Sequence, residues 1–167
     1  ETLDLMTCDD KVHIKACGQG LKLLDHEEIH VMNIDPSILE KLNIKEHEDS
    51  IEIGVTTIVP AHLMGSGLGS ATTMLGDYDI MTQDKKANET YHINDLRFGD
   101  IVAVLDHDNH HGPHYLEGAI TIGVVVHSDS FTSGHGPGLT VILSSKTKTI
   151  KPFIDKDANI ANYLDIQ

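Results

Sequence analysis

The chain has 167 residues, 40% hydrophobic and 23% charged; that is enough to fold as one domain and excludes a disordered segment. Its formal net charge is −14 and Arg97 is its sole arginine. It therefore lacks the basic cluster that binds phosphate backbones or anionic lipid, which excludes nucleic acid and membrane surfaces as partners.

No apolar run approaches the ~20 residues of a membrane-spanning helix, and no leader peptide is expected. The chain opens at Glu1, as a trimmed, processed or partial chain would. Small neutral ligands, cations or basic partners suit the negative charge. Its 12 histidines would draw that charge down as pH falls below neutral. Cys8 and Cys17 lie outside any CxxC pair, so a thiolate zinc site is not indicated. Reduced thiols in a cytoplasmic protein are expected, with one disulfide allowed on count alone.

In chain order, Lys11 to Cys17 alternates apolar and polar residues and predicts a half-buried strand. Leu21 to Leu24 predicts a second short strand, and Glu28 to Ile34 alternates again. Asp35-Pro36-Ser37 predicts a helix start, with Asp35 as cap and Pro36 in the first turn. That helix is expected to run two or three turns and to stop near Asn43. Lys45 to Ser50 reads as a polar connection. Ile51 to Val59 predicts one strand, which Pro60 ends or places at a sheet edge.

The glycine-rich segment around Gly65, Gly67 and Gly69 follows, then a strand near Gly76 to Met81 with Asp77 and Asp79 on one side. Lys85 to Thr90 reads as exposed and polar. A Gly-Asp turn at Gly99-Asp100 feeds the apolar strand Ile101 to Leu105. Asp106 to His114 reads as a polar loop. Ala119 to Val126 and Leu139 to Leu143 are apolar strands. Ile150 to Ile154 predicts an edge strand, and Asp157 to Leu164 a capped terminal helix. Strands joined by short turns, without alternating long helices, predict a β-rich fold rather than a doubly wound one.

Four segments carry polar groups suited to chemistry. The glycines at 65–69 fit neither a dinucleotide fingerprint nor a phosphate loop, because no helix of useful length and no lysine follow them. They leave a loop whose amides gather around an anion or carbonyl oxygen, or one that merely passes close to another backbone. Asp106, Asp108 and His110, in a loop that also holds His107, His111 and His114, are the candidate metal ligands; a solvated loop is the alternative. His127 ends an apolar strand beside Ser128 and Asp129, with His135 between two glycines, and reads as functional or as a core hydrogen-bond donor. Ser128 is not paired with His127 as a nucleophile, because neighbours on a strand face opposite ways. Asp77 and Asp79 would bind a cation or orient a histidine, or else serve a turn.

Several of these stretches occur together elsewhere. CGQGLKLLD at 17–25, MGSGLG at 64–69, GDYDI at 76–80, LRFGDIVAV at 96–104, GVVVHSD at 123–129, GHGPG at 134–138 and DANIANY at 157–163 resemble the bacterial and archaeal family known as domain of unknown function number 4438. The resemblance covers nearly the whole chain, in order. Family members are longer at the amino end, which implies that this is a carboxyl-terminal section. The implied fold is β-rich and cyclophilin-like; no activity is implied. The matching positions are Met64, Gly65, Ser66, Gly67, Asp77, Asp79, Asp106, His127, Ser128, Asp129, His135 and Gly136. The sequence departs from the family at Cys17, where a tryptophan is usual, and at Pro113, where an arginine is usual. His110, His111 and His114 lie outside the pattern.

The expected fold is mainly β, a β-rich α+β domain over residues 1–167, barrel-like or a sandwich, with two short helices. The expected function is a small-molecule site, with hydrolysis or proton transfer on a polar metabolite. His127, His135 and Asp77 are the candidate catalytic residues. Met64, Gly65, Ser66, Gly67, Gly69, Asp79, Ser128 and Gly136 are the candidate ligand-binding residues. A divalent metal ion is the expected cofactor. The expected partners are the ligand, a missing amino-terminal section or separate subunit, and further copies in a homo-oligomer. The alternative is a non-catalytic binding or assembly subunit.

Overall fold

The computed structural model describes residues 5–65 and 75–166. Among them, nine strands form two sheets. The strands are β1 (Ile29–Val31), β2 (Ile44–His47), β3 (Ser50–Val55), β4 (Thr57–Pro60), β5 (Tyr78–Asp79), β6 (Ile101–Asp108), β7 (His114–His127), β8 (Gly138–Ser145) and β9 (Ile150–Ile154). The helices are α1 (Pro36–Leu39), α2 (Lys85–Thr90) and α3 (Ile160–Tyr163). The large sheet has the order β1–β8–β7–β6–β4, with β5 also on β8; the small sheet is β2–β3–β9. The fold is thus mainly β, and among the described residues the sheets do not close into a barrel.

The continuous apolar run of β6 has a simple cause: both its faces are covered. Ile101 and Ala103 meet Ile51, Ile53, Val55 and Ile150 of the small sheet, together with Ile122 and Leu143. Val102 and Val104 point the other way, into a second cluster with Val59, Leu63, Ile80, Val125 and Leu139. Burying each of these branched side chains contributes about 1.5–3 kcal/mol relative to exposure.

Several expectations need correction. Lys11 to Cys17 forms no strand among the described residues, and its side chains are exposed; alternation alone makes no strand without a neighbour to take its backbone bonds. Leu21 to Leu24 is likewise irregular. The helix after Asp35 is a single turn, although Asp35 does cap it by accepting from the Ser37 amide. Lys45 to His47 is not a connection but part of edge strand β2, which pairs antiparallel with β3. Ile51 to Val59 divides at Thr56: β3 stays in the small sheet and β4 joins the large one. There the Thr56 amide donates to the Ile101 carbonyl, anchoring the crossing. Lys85 to Thr90 is a third short helix, capped by Asp84, whose carboxylate accepts from the Lys86 and Ala87 amides.

Of three register shifts between β7 and its neighbours, one lies mid-strand at Ile122/Gly123 and two re-aim side chains at the strand ends, as bulges do. The β6–β7 register shifts between Leu105 and His107, with Asp106 at φ 57°. The β7–β8 register shifts between Val125 and His127.

Candidate functional site

Gly138 opens β8 with a strand on each side. It pairs with Asp79 of β5 and with His127 of β7. A Cβ at Gly138 would fall on Asp77 Oδ2 and His127 Nε2. The bare backbone there is the space in which an imidazole meets two carboxylates.

His127 Nε2 lies 2.7 Å from Asp77 Oδ2 and 3.3 Å from Asp79 Oδ1. Its Nδ1 donates to the Ser128 carbonyl at 2.8 Å. That carbonyl, with the charges of Asp77 and Asp79, holds the imidazole pKa above its ordinary value, against an opposing effect of burial. Asp79 is buried and serves two imidazoles. Its Oδ2 accepts from His135 Nδ1 at 2.7 Å and from the Gly136 amide at 3.3 Å. Asp77, Asp79 and His127 have ligand atoms within 4.8 Å of one another, the one such trio found among the described residues.

The trio lies between two hollows. One of about 440 Å³ is bounded by His127, Ser128, Asp129, Thr82, Arg97 and Phe98. The other, of about 660 Å³, reaches Asp77 and is bounded by Cys17, Asp35 and Thr140. At the first hollow, the Thr82 hydroxyl donates to Asp129 Oδ1 at 2.6 Å.

Residues 41–164 match the family model "Domain of unknown function (DUF4438), C-terminal", and residues 1–40 match its N-terminal counterpart. The chain belongs to the DUF4438 family. A solved structure, "Crystal structure of TM1086", is similar at 48% identity and a TM-score of 0.80, covering 87% of this chain and 51% of that one. The chain thus spans about half the length of that relative. No curated protein matches. The amino-terminal family region, expected to be missing, is represented here by residues 1–40.

Among the DUF4438 motif positions, Asp77, Asp79, His127, Ser128, His135 and Gly136 come together as described. Met64 bridges to Ile80, and the Gly65 amide donates to the Asp79 carbonyl at 2.7 Å. Both therefore fix the strand that carries the carboxylates. Ser66, Gly67 and Gly69 lie outside the described residues. Gly138 and Thr82 were not singled out in the sequence. The Gly-Pro-Gly ending of the GHGPG motif was the signal for Gly138, but a glycine's role shows only when its neighbours are known.

Of the candidate metal ligands around the β6–β7 turn, Asp106 parts from Asp108 and His110, which stay together. Asp106 turns aside and accepts the Gly118 amide at 2.7 Å. Asp108 is fully buried, and its Oδ1 lies 2.7 Å from His110 Nδ1. Burial pushes the Asp108 pKa up, but the hydrogen bonds and charge of His110, with the charge of His114, bring it below the ordinary value. Beside it, His107 Nδ1 lies 3.0 Å from Thr121 Oγ1, whose hydroxyl donates to the His107 carbonyl. Nδ1 therefore carries the proton, and burial pushes the His107 pKa down to about 4. His107 Nε2, Asp108 Oδ2, the Asn109 amide and the Tyr78 hydroxyl are buried with no hydrogen-bond partner.

Proposed function

We propose that the Asp77–Asp79–His127 trio holds a divalent cation in a small-molecule site, and that the site carries out hydrolysis or proton transfer on a polar metabolite. The observation that carries this reading is the placing of His127. Its Nδ1 is tied to the Ser128 carbonyl, so Nε2 supplies the lone pair once its proton leaves, and it faces two carboxylate oxygens at 2.7 and 3.3 Å. A histidine anchored through one nitrogen and facing carboxylates through the other is the usual arrangement of a ligand. A cation there would polarise a substrate oxygen or a water.

Both nitrogens of His127 are engaged in holding the trio, and His135 stands on the other oxygen of Asp79. His135 Nδ1 donates to Asp79 Oδ2 at 2.7 Å, which ties the second imidazole to the same carboxylate. The hollow beside His127 and Arg97 would receive the metabolite.

The test is calorimetric titration of the whole chain with Mn²⁺, alongside Asp77→Asn and His127→Asn. Both side chains are partly exposed, so the variants should fold. The expected result is binding in the parent and a loss of at least about tenfold in each variant. Equal binding in all three would remove the cation from this site.

A non-catalytic assembly subunit is the second reading. It is favoured by the exposed apolar side chains Val126 and Phe131, which flank His127 in sequence. An oligomer that dissociates in Phe131→Ser, with no cation bound by the parent, would support it.

A further inference from the structure

At the other end of β8, histidines gather a second time. His30 on β1 is paired with Ser144, and Ser144 with Thr121 on β7. This polar row crosses the sheet six residues along β8 from Gly138, or about 20 Å away. At its rim, the His30 and His110 rings lie 5.1 Å apart between centres, and the His110 and His111 rings 6.3 Å apart. Two imidazoles on one tetrahedral ion, with metal–nitrogen bonds of about 2 Å, have ring centres roughly 5 Å apart.

Beneath them, Asp108 Oδ1 accepts the His110 Nδ1 proton at 2.7 Å. That fixes the tautomer with the lone pair on Nε2. Asp108 is fully buried; its Oδ2 has no hydrogen bond, and His114 Nε2 stands 3.4 Å from it. A buried carboxylate is costly unless it is hydrogen-bonded, and Oδ1 is held by the Ser144 hydroxyl at 3.3 Å as well as by His110. A carboxylate that orients a histidine for a metal is one well-attested use.

We propose that His30, His110 and His111 form a site for a late first-row divalent ion of the zinc type, with Asp108 orienting His110 rather than ligating. Three imidazoles select zinc, cobalt or nickel over magnesium and calcium. The three rings adjoin without converging as they stand. His30 and His111 are exposed, so their rings turn to close on the ion, and water completes the tetrahedron. No residue of this site belongs to the Asp77–Asp79–His127 trio.

The test uses Co²⁺, a spectroscopic stand-in for zinc, added to the whole chain, to the His30→Ala/His111→Ala double variant and to His127→Asn. The expected result is intense tetrahedral ligand-field absorption in the parent and in His127→Asn, and its loss in the double variant. A melting curve confirms that the double variant folds, as its two exposed side chains allow. Asp108→Asn, where it folds, should bind about 10- to 100-fold more weakly. Tetrahedral bands that survive in the double variant, or a parent that shows only weak octahedral absorption, would overturn the proposal. Loss of the bands in His127→Asn alone would assign them to the other trio and overturn it equally.

Discussion

Gly138 stands opposite His127 in the β7–β8 ladder, and the side chain it lacks is the room the imidazole occupies. Gly138→Ala would set a methyl group against Asp77 Oδ2 and His127 Nε2 together. Overpacking of this kind costs about 1–3 kcal/mol. The expected outcome is a lowered denaturation midpoint and loss of cation binding at the trio, read by urea melts and calorimetry. A variant with parental stability and binding would show that the imidazole has another resting place.

The raised proton affinity of His127 has separable causes. The Ser128 carbonyl is the larger, and the charges of Asp77 and Asp79 add to it. Asp77→Asn should therefore lower the His127 pKa without returning it to the ordinary value. Proton NMR titration of the ring resonances, with metal removed by chelation, measures this. An unchanged pKa would mean that the 2.7 Å contact with Asp77 is not kept in solution.

His107 makes stability depend on pH in the opposite sense to a salt-bridged histidine. Its folded pKa is about 4, against an ordinary 6.5. Between those values the unfolded chain binds the proton and the folded chain does not, so stability falls as pH drops from 6.5 towards 4. The loss from this group reaches about 3 kcal/mol and then levels off. Urea melts across this range should show a smaller loss in His107→Asn, which keeps a donor for Thr121. A parent and variant with the same pH dependence would place the cause in other groups.

Asp84 caps α2 by accepting from the Lys86 and Ala87 amides at 2.9 and 3.1 Å. Asp84→Ala should cost about 1 kcal/mol. Hydrogen exchange would show faster opening confined to residues 85–91, because the helix buries little beyond Ala87 and Asn88. Slow exchange there would show that packing, not the cap, holds the turn.

The strands that could be read from the sequence are those whose surroundings impose a pattern. Ile101 to Val104 and Ala119 to Val125 are apolar because both faces of these strands are packed, whereas Leu105 and Val126 at their ends are exposed. Asp77, Asp79 and His127 stood out as polar groups at the ends of such strands, and they do meet. What could not be read depends on partners distant in the chain. Lys11 to Cys17 alternates as well as any strand, yet nothing pairs with it among the described residues. Thr56 interrupts an apparently continuous strand because its bonds go to Ile101, 45 positions on. Lys85 to Thr90 has a single small apolar residue to mark its buried side, so no periodicity announces the helix. Asp106 shares its chemistry with Asp108, but the bulge sends it to a backbone amide instead.

The small sheet is completed by β9, which lies parallel to β3 with Ile51 beside Ile150. Two of its three strands are neighbours in the chain, and the third follows roughly a hundred residues later. Until then Ile51, Ile53 and Val55 are left without the edge that seals them, and nascent chains must be kept from sticking through that gap. Truncation before Ile150 should therefore yield aggregates rather than a shorter soluble domain.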